Sequence, residues 1–217
     1  MSKHIMVFMQ ERSLREAIID RILLLYLVGR TRKKGYNILG HIKIQKLLYK
    51  TEERMFLSQY KGLNYNFVRW TSGPFSQEIY SDVKDLKTVG LLRNEEALGL
   101  SSNGEKLVRA LEPIVDEQSK EIIERVINEF GPLKGREIRA SMYSYPKVGE
   151  KRVLAEVKKG ETVLSKLNDR DAKRLFWIDD KWFETLRILF DPHSYQSIKK
   201  GLKALREEEG KPFIPVH

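Results

Sequence analysis

The chain has 217 residues, with 40 Lys/Arg against 30 Asp/Glu, a formal charge of +10 and no cysteine. Its length fits one large domain or two small ones. The missing cysteine excludes a disulfide framework, a zinc–thiolate centre, an iron–sulfur cluster and a cysteine nucleophile. At 41% hydrophobic residues, the composition is rich enough for a real core and argues against global disorder. The longest apolar stretch, Ile18 to Val28, is broken by Asp20 and Arg21 and is too short to span a bilayer. The opening residues lack the basic, apolar and small-residue blocks of a secretory leader, so a cytoplasmic protein that does not enter membranes is expected. The excess charge points to an anionic partner and is uneven. Nineteen Lys/Arg face twelve Asp/Glu up to Glu112, and eight of those basic residues fall between Arg30 and Arg54.

In chain order, the apolar positions of Leu14 to Val28 predict a buried helix that ends at Gly29 and a basic loop running to Gly40. A second helix is expected from about His41 to Tyr60, with Ile44, Leu47, Leu48, Met55 and Phe56 on one face. Lys43, Lys46 and Lys50 then fall toward the other face. Tyr65 to Trp70 is rich in aromatic and β-branched residues and predicts a short strand, broken by Ser72-Gly73-Pro74. A third helix should start at Ser76, whose hydroxyl can cap it, with Ile79, Tyr80, Val83 and Leu86 inward and Gly90 as the closing glycine. Leu91 to Leu100 reads as a short hairpin with a polar tip at Asn94-Glu95-Glu96. Ser102 to Glu105 has capping-box spacing for a helix running through Leu111.

Pro113 predicts the start of a further helix reaching Phe130. A looped region follows around a short helix near Glu137 to Tyr143, with Val153 to Val157 as a candidate strand. The C-terminal stretch carries two amphipathic helical segments separated by Asp191-Pro192, with the proline suited to the first turn of the second. The expected fold is mainly α with a small β hairpin. It comprises a winged-helix-like domain over 1–112, a helical and looped connection over 113–178, and a two-helix extension over 179–217.

Helix, helix, strand, helix, hairpin, helix is the order of a winged-helix variant, in which the helix before the hairpin commonly enters a DNA groove. Phosphate contacts would come from Arg30, Arg32, Lys33, Lys34, Lys43, Lys46, Lys50, Lys84 and Lys87, and base contact from Gln77. Glu78, Asp82 and Asp85 offset the basic residues of that helix and make it a poor sequence reader.

Two stretches resemble known families. Ile44-Gln45-Lys46-Leu47-Leu48-Tyr49, Ser72-Gly73-Pro74-Phe75-Ser76, Ile79-Tyr80 and Gly90-Leu91-Leu92 resemble, in order, the Panacea (SocA/GepA-like) family and the related YwgA-like proteins. The resemblance covers about a third of the chain and stops short of Glu112 to Arg174. It implies a helical, winged-helix-like domain that works as an antitoxin or protein-binding adaptor without catalytic residues. Glu184-Thr185-Leu186, Asp191-Pro192, Ile198, Leu202 and Gly210-Lys211 resemble the toxin-neutralising tail of Phd/RelB-type antitoxins, which wraps an RNase toxin of the RelE/ParE kind. Independently of that resemblance, two linked amphipathic helices suit helix-in-groove binding. The partner-binding residues would be Trp182, Phe183, Leu186, Leu189, Phe190, Tyr195, Ile198, Leu202 and Leu205. The alternative is that this pair simply docks on its own domain.

Chemistry is sparse. His4, His41, His193 and His217 form no metal-spaced pair, and no phosphate-cradling glycine loop or nucleophile elbow is present. Glu156-Val157-Lys158 has the end of a nuclease strand without its upstream acidic partner. No cofactor or metal is expected. The sequence therefore points to a non-catalytic, antitoxin-like regulator with a protein partner; double-stranded DNA and a homodimer remain open. The alternatives are a winged-helix transcriptional regulator and a phage-defence or proteolytic adaptor.

Overall fold

The computed structural model describes residues 11–93 and 95–209, with side chains as far as Leu205. The hairpin tip Asn94, the Gly210-Lys211 pair, the tail from Phe213 to His217 and His4 lie outside the described residues.

Two helices build the centre. α1, Leu14–Lys33, opens with a full capping box: Ser13 Oγ accepts from the Glu16 amide while the Glu16 carboxylate accepts from the Ser13 amide. Residues Ile22 to Val28 are all buried, because the helix is apolar all round and is enclosed on several sides. It does not end at Gly29. A side chain there would come within 2.9 Å of Leu100 Cδ1, so the glycine serves close packing and the helix continues for another turn. α2, Gly40–Leu57, follows the two-residue strand β1, Ile38–Leu39. Every residue from Lys43 to Glu53 is buried.

Around this pair, among the described residues, stand three small sheets. β2, Tyr60–Lys61, pairs in parallel with β7, Arg174–Leu175. β3, Phe67–Trp70, lies between β4, Gly73–Phe75, and β6, Thr162–Leu164, antiparallel to both. The Gly-Pro-Phe stretch is thus a strand rather than a simple break, with Gly73 at φ +91° beyond the tight turn. α3, Gln77–Thr88, ends at Gly90 with φ +75°, as a closing glycine requires. β5, Ala97–Leu98, pairs with β1, and a bridge from Leu92 to Leu100 closes the expected hairpin.

α4, Ser102–Leu111, is capped by Ser101 rather than Ser102: the Ser101 hydroxyl accepts from the Gly104 amide. α5, Glu117–Phe130, begins four residues after Pro113, because the Asp116 carboxylate takes the free amide of Ser119. α6, Gly135–Ser144, packs with α5 against α2. Val153 to Val157 does not form a strand; only an isolated bridge joins Val153 to Pro146. α7, Asp180–Phe190, and α8, Pro192–Glu209, complete the eight helices among the described residues, and the protein is mainly helical with a small β component. One apolar cluster runs from Ile18 to Phe190, drawing on all three segments anticipated from the sequence. No helix among the described residues is long and apolar enough to cross a membrane.

Candidate functional site

The two motif stretches meet in space. Gln45 on α2 clips the backbone of Ser76 from both sides: its Nε2 donates to the Ser76 carbonyl at 2.8 Å, and its Oε1 accepts from the Ser76 amide at 2.9 Å. That side chain imitates a neighbouring strand. The Ser76 hydroxyl, by contrast, makes no capping bond. One residue on, Lys46 Nζ donates to the Pro74 carbonyl at 2.5 Å and lies beside Gly73, where a Cβ would approach its Cε to 3.4 Å. Burial pulls the Lys46 amine down to a pKa of about 7, and the charge of Arg139 adds to the depression. Lys43 donates to the Gly131 carbonyl at 2.6 Å. Lys50 bonds Glu53 at 2.5 Å and lies over the Tyr145 ring at 3.4 Å.

The three lysines expected on an outer, phosphate-facing surface therefore point inward, each at most 5% exposed. The physical reason is that α5, α6 and β4 cover α2 on the side that its own periodicity leaves polar. Each ammonium finds a carbonyl, a carboxylate or a ring in exchange for water.

Above the clip the surface is aromatic. A cleft of about 200 Å³ opens between His41, Ile42, Lys46, Trp70, Phe75 and Tyr80. Trp70 is 45% exposed, Tyr80 44% and Ile42 40%. Tyr80, expected on the inner face of α3, is turned outward, with the His41 ring against it at 4.7 Å. Trp70 packs near Phe75 at 6.3 Å, and Lys159 lies 4.2 Å from its ring centre.

Beneath lies an ionic knot. Asp82 on α3 accepts from Arg12 at 2.8 Å, Arg21 at 2.9 Å and the Tyr65 hydroxyl at 3.0 Å. Asp20 accepts from Arg12 at 2.7 Å and from the Asn64 amide at 2.8 Å. Burial lifts Asp20 to about 7 against the pull of Arg12, and it lifts the enclosed Glu52 well above the carboxylate range. These groups tie α1, α2 and α3 together. Among the described residues, no group of three or more His, Asp or Glu side chains is placed to hold a metal ion.

The remaining basic residues do not share one face. Arg30 pairs with Glu124 at 2.5 Å, and Lys34 pairs with the same carboxylate at 2.8 Å. Arg32 and Lys33 line a cleft of about 660 Å³ together with Arg93 and Arg109, which the sequence reading did not single out because the hairpin and α4 bring them there from far along the chain. Lys84 and Lys87 line a different cleft, and Gln77 is exposed at the start of α3.

The C-terminal pair also divides. Leu186 and Phe190 are at most 1% exposed, and Trp182, Phe183, Leu189 and Tyr195 pack against the same core. Arg21 fixes the end of α7 through the Phe190 carbonyl at 2.7 Å. Arg15 lies between the rings of Trp177 and Phe183, at 4.2 and 4.3 Å. The expected continuous partner face therefore loses its first half to the protein's own core. On α8, Ile198, Leu202 and Leu205 remain 48–57% exposed.

Residues 44–146 match the family model described as antitoxin SocA-like, Panacea domain. That segment is similar to a Panacea domain, over just under half of the chain. It contains the Gln45–Ser76 clip, the Lys46–Pro74 contact and most of the aromatic cleft, and it reaches through α5 and α6, beyond the motifs legible in the sequence. α1, which supplies Arg12-facing Asp20, and the α7–α8 pair lie outside the Panacea match. No curated protein and no solved structure matches the chain significantly.

Proposed function

We propose that the protein is a cytoplasmic, non-catalytic antitoxin that binds and restrains a protein toxin through the exposed face of α8. The observation that carries this reading is the row Ile198, Leu202 and Leu205, spaced four and three residues apart on one helical stripe and uncovered among the described residues. Exposed Lys199 and Lys200 flank the row. Such a stripe suits insertion into a partner's apolar groove, and α7, rooted by Leu186 and Phe190, supplies the rigid base. The similarity of residues 44–146 to a Panacea domain supports a protein partner, and the resemblance of Asp191-Pro192, Ile198 and Leu202 to a Phd/RelB-type tail supports a toxin of the RelE/ParE kind. Co-expression with the product of the adjacent gene tests the reading. The wild-type chain restores growth, whereas Leu202→Asp, an exposed change that spares the core, does not. Growth arrest that the wild-type chain fails to relieve, or that the variant relieves equally, overturns it. If chain self-association rather than heterologous binding disappears in Leu202→Asp, the face is a homodimer contact.

A second reading, binding of duplex DNA, rests on the cleft between the end of α1, the hairpin and α4. Arg30, Arg32, Lys33, Arg93 and Arg109 line it against Glu105 and Glu112. The pairing of β1 with β5 beside the Leu92–Leu100 bridge supports a winged-helix-like arrangement there. Fluorescence anisotropy on random duplex should show binding that weakens steeply with salt. Absence of binding at low salt, or a flat salt response, removes this reading.

A further inference from the structure

We propose that the aromatic cleft between α2, the β3–β4 hairpin and α3 is a separate docking site for an acidic segment of a partner protein that carries one large apolar side chain. Three independent observations converge on it. The first is exposure. Ile42, Trp70 and Tyr80 crowd the mouth of one cleft, with Leu39 also exposed where the chain enters α2. Covering such a patch releases ordered water, and the cleft's volume of about 200 Å³ suits a single large side chain.

The second observation is rigidity. The Gln45 clip and the Lys46–Pro74 bond lock the β4 wall to α2. His41 braces Tyr80, while Phe75 and Lys159 brace Trp70. A pocket whose walls are already fixed loses little conformational freedom when it is filled.

The third observation is charge, which selects the occupant. An adjoining cleft of about 320 Å³ shares His41 and Tyr80 and adds Lys84 and Lys87. Among the described residues, no aspartate or glutamate lines either cleft. A carboxylate-bearing segment running from one cleft to the other would meet lysines at one end and bury its apolar anchor at the other. The aliphatic side chain of Ile42 at the mouth favours side-chain packing over base stacking, so a protein segment fits better than single-stranded nucleic acid. No residue of α8 lines either cleft, so the site does not depend on the partner proposed for that helix.

The probe is a random-peptide display library selected against the full chain. The expected result is enrichment of peptides with several Asp or Glu residues around one Phe, Trp or Leu. The enriched peptide should lose roughly tenfold or more in affinity against Tyr80→Ser and against the double variant Lys84→Glu/Lys87→Glu. Both variants alter accessible side chains, and circular dichroism melts confirm that they fold. Failure to enrich acidic peptides, binding of the enriched peptide to either variant as tightly as to the wild-type chain, or tighter binding of oligothymidylate than of the peptide at the same salt overturns the proposal.

Discussion

Replacing Lys46 with methionine should change the sign of its effect on stability as the pH is raised. In the folded protein the amine titrates at about 7 because burial between α2 and β4 disfavours its charge, with Arg139 adding to the effect, whereas in the unfolded chain it titrates at 10.5. Below about pH 7 both states hold the proton, and the folded state bears the whole cost of a buried ammonium. That difference corresponds to something on the order of 5 kcal/mol. As the pH rises from about 7 toward 10.5, the folded state has released the proton and the unfolded state still binds it, so stability increases across that window. Methionine removes the ionic cost but leaves the buried Pro74 carbonyl without its donor, a loss of about 1–3 kcal/mol. Lys46→Met should therefore be more stable than wild type by about 2–4 kcal/mol near pH 6, and less stable by up to about 2 kcal/mol near pH 10, where the unfolded lysine still holds most of its proton. Urea denaturation of both proteins at the two pH values measures it, since every other titrating group is common to the pair and cancels in the difference. A stability difference of the same sign and size at both pH values would refute the reasoning.

Other substitutions probe the frame that holds the site. Asp82→Asn weakens three donors at once, from Arg12, Arg21 and Tyr65, and should cost about 3–5 kcal/mol in thermal unfolding; a loss below about 1 kcal/mol would mean the knot is dispensable. Gly104→Ala improves helix propensity yet places a Cβ 2.1 Å from the Leu91 carbonyl oxygen, so a net loss of about 1–3 kcal/mol is expected by urea titration, and a gain would contradict the packing. For Glu16, burial pushes the carboxyl up, but hydrogen bonds from Lys166 and Lys61 prevail and lower it from 4.5 to about 2. Its stabilisation, about 1–2 kcal/mol once solvent screening of this partly exposed group is allowed for, is present above pH 4.5 and lost as the pH falls toward 2. Glu16→Gln should thus be clearly weaker than wild type at neutral pH and nearly equal to it at about pH 2; a constant deficit would count against that assignment.

What could be read from the chain depended on how local its cause was. Ser13 and Glu16 cap α1 through bonds three residues apart, Gly90 ends α3 by its own backbone angle, and Pro192 opens α8 where its missing amide does no harm. Elements whose partners lie far along the chain were not legible. β2 and β7 are two-residue strands that pair across more than a hundred positions, and β6 is a strand only because β3 lies beside it. The same remoteness governs the site. Lys43, Lys46 and Lys50 share a polar stripe that looks solvent-facing until α5 and α6 close over it, and Arg93 and Arg109 reach the end of α1 only through the hairpin and α4. Amphipathicity identified α7 and α8 as helices with apolar faces. It carries no information on whose core a face enters, and the protein itself takes Leu186 and Phe190 while leaving Ile198, Leu202 and Leu205 outside.

The central claim is that α8 holds a protein partner, and the affinity of the purified chain for the product of the adjacent gene tests it most directly. Isothermal titration should give a saturable heat with a negative heat-capacity change, as burial of the Ile198–Leu205 face requires. Leu202→Asp combined with Leu205→Asp should weaken binding about a hundredfold or more, equivalent to about 2.7 kcal/mol, while leaving the melting temperature unchanged. Affinity unaltered by the double substitution, or no heat of binding to the wild-type chain, would contradict the account.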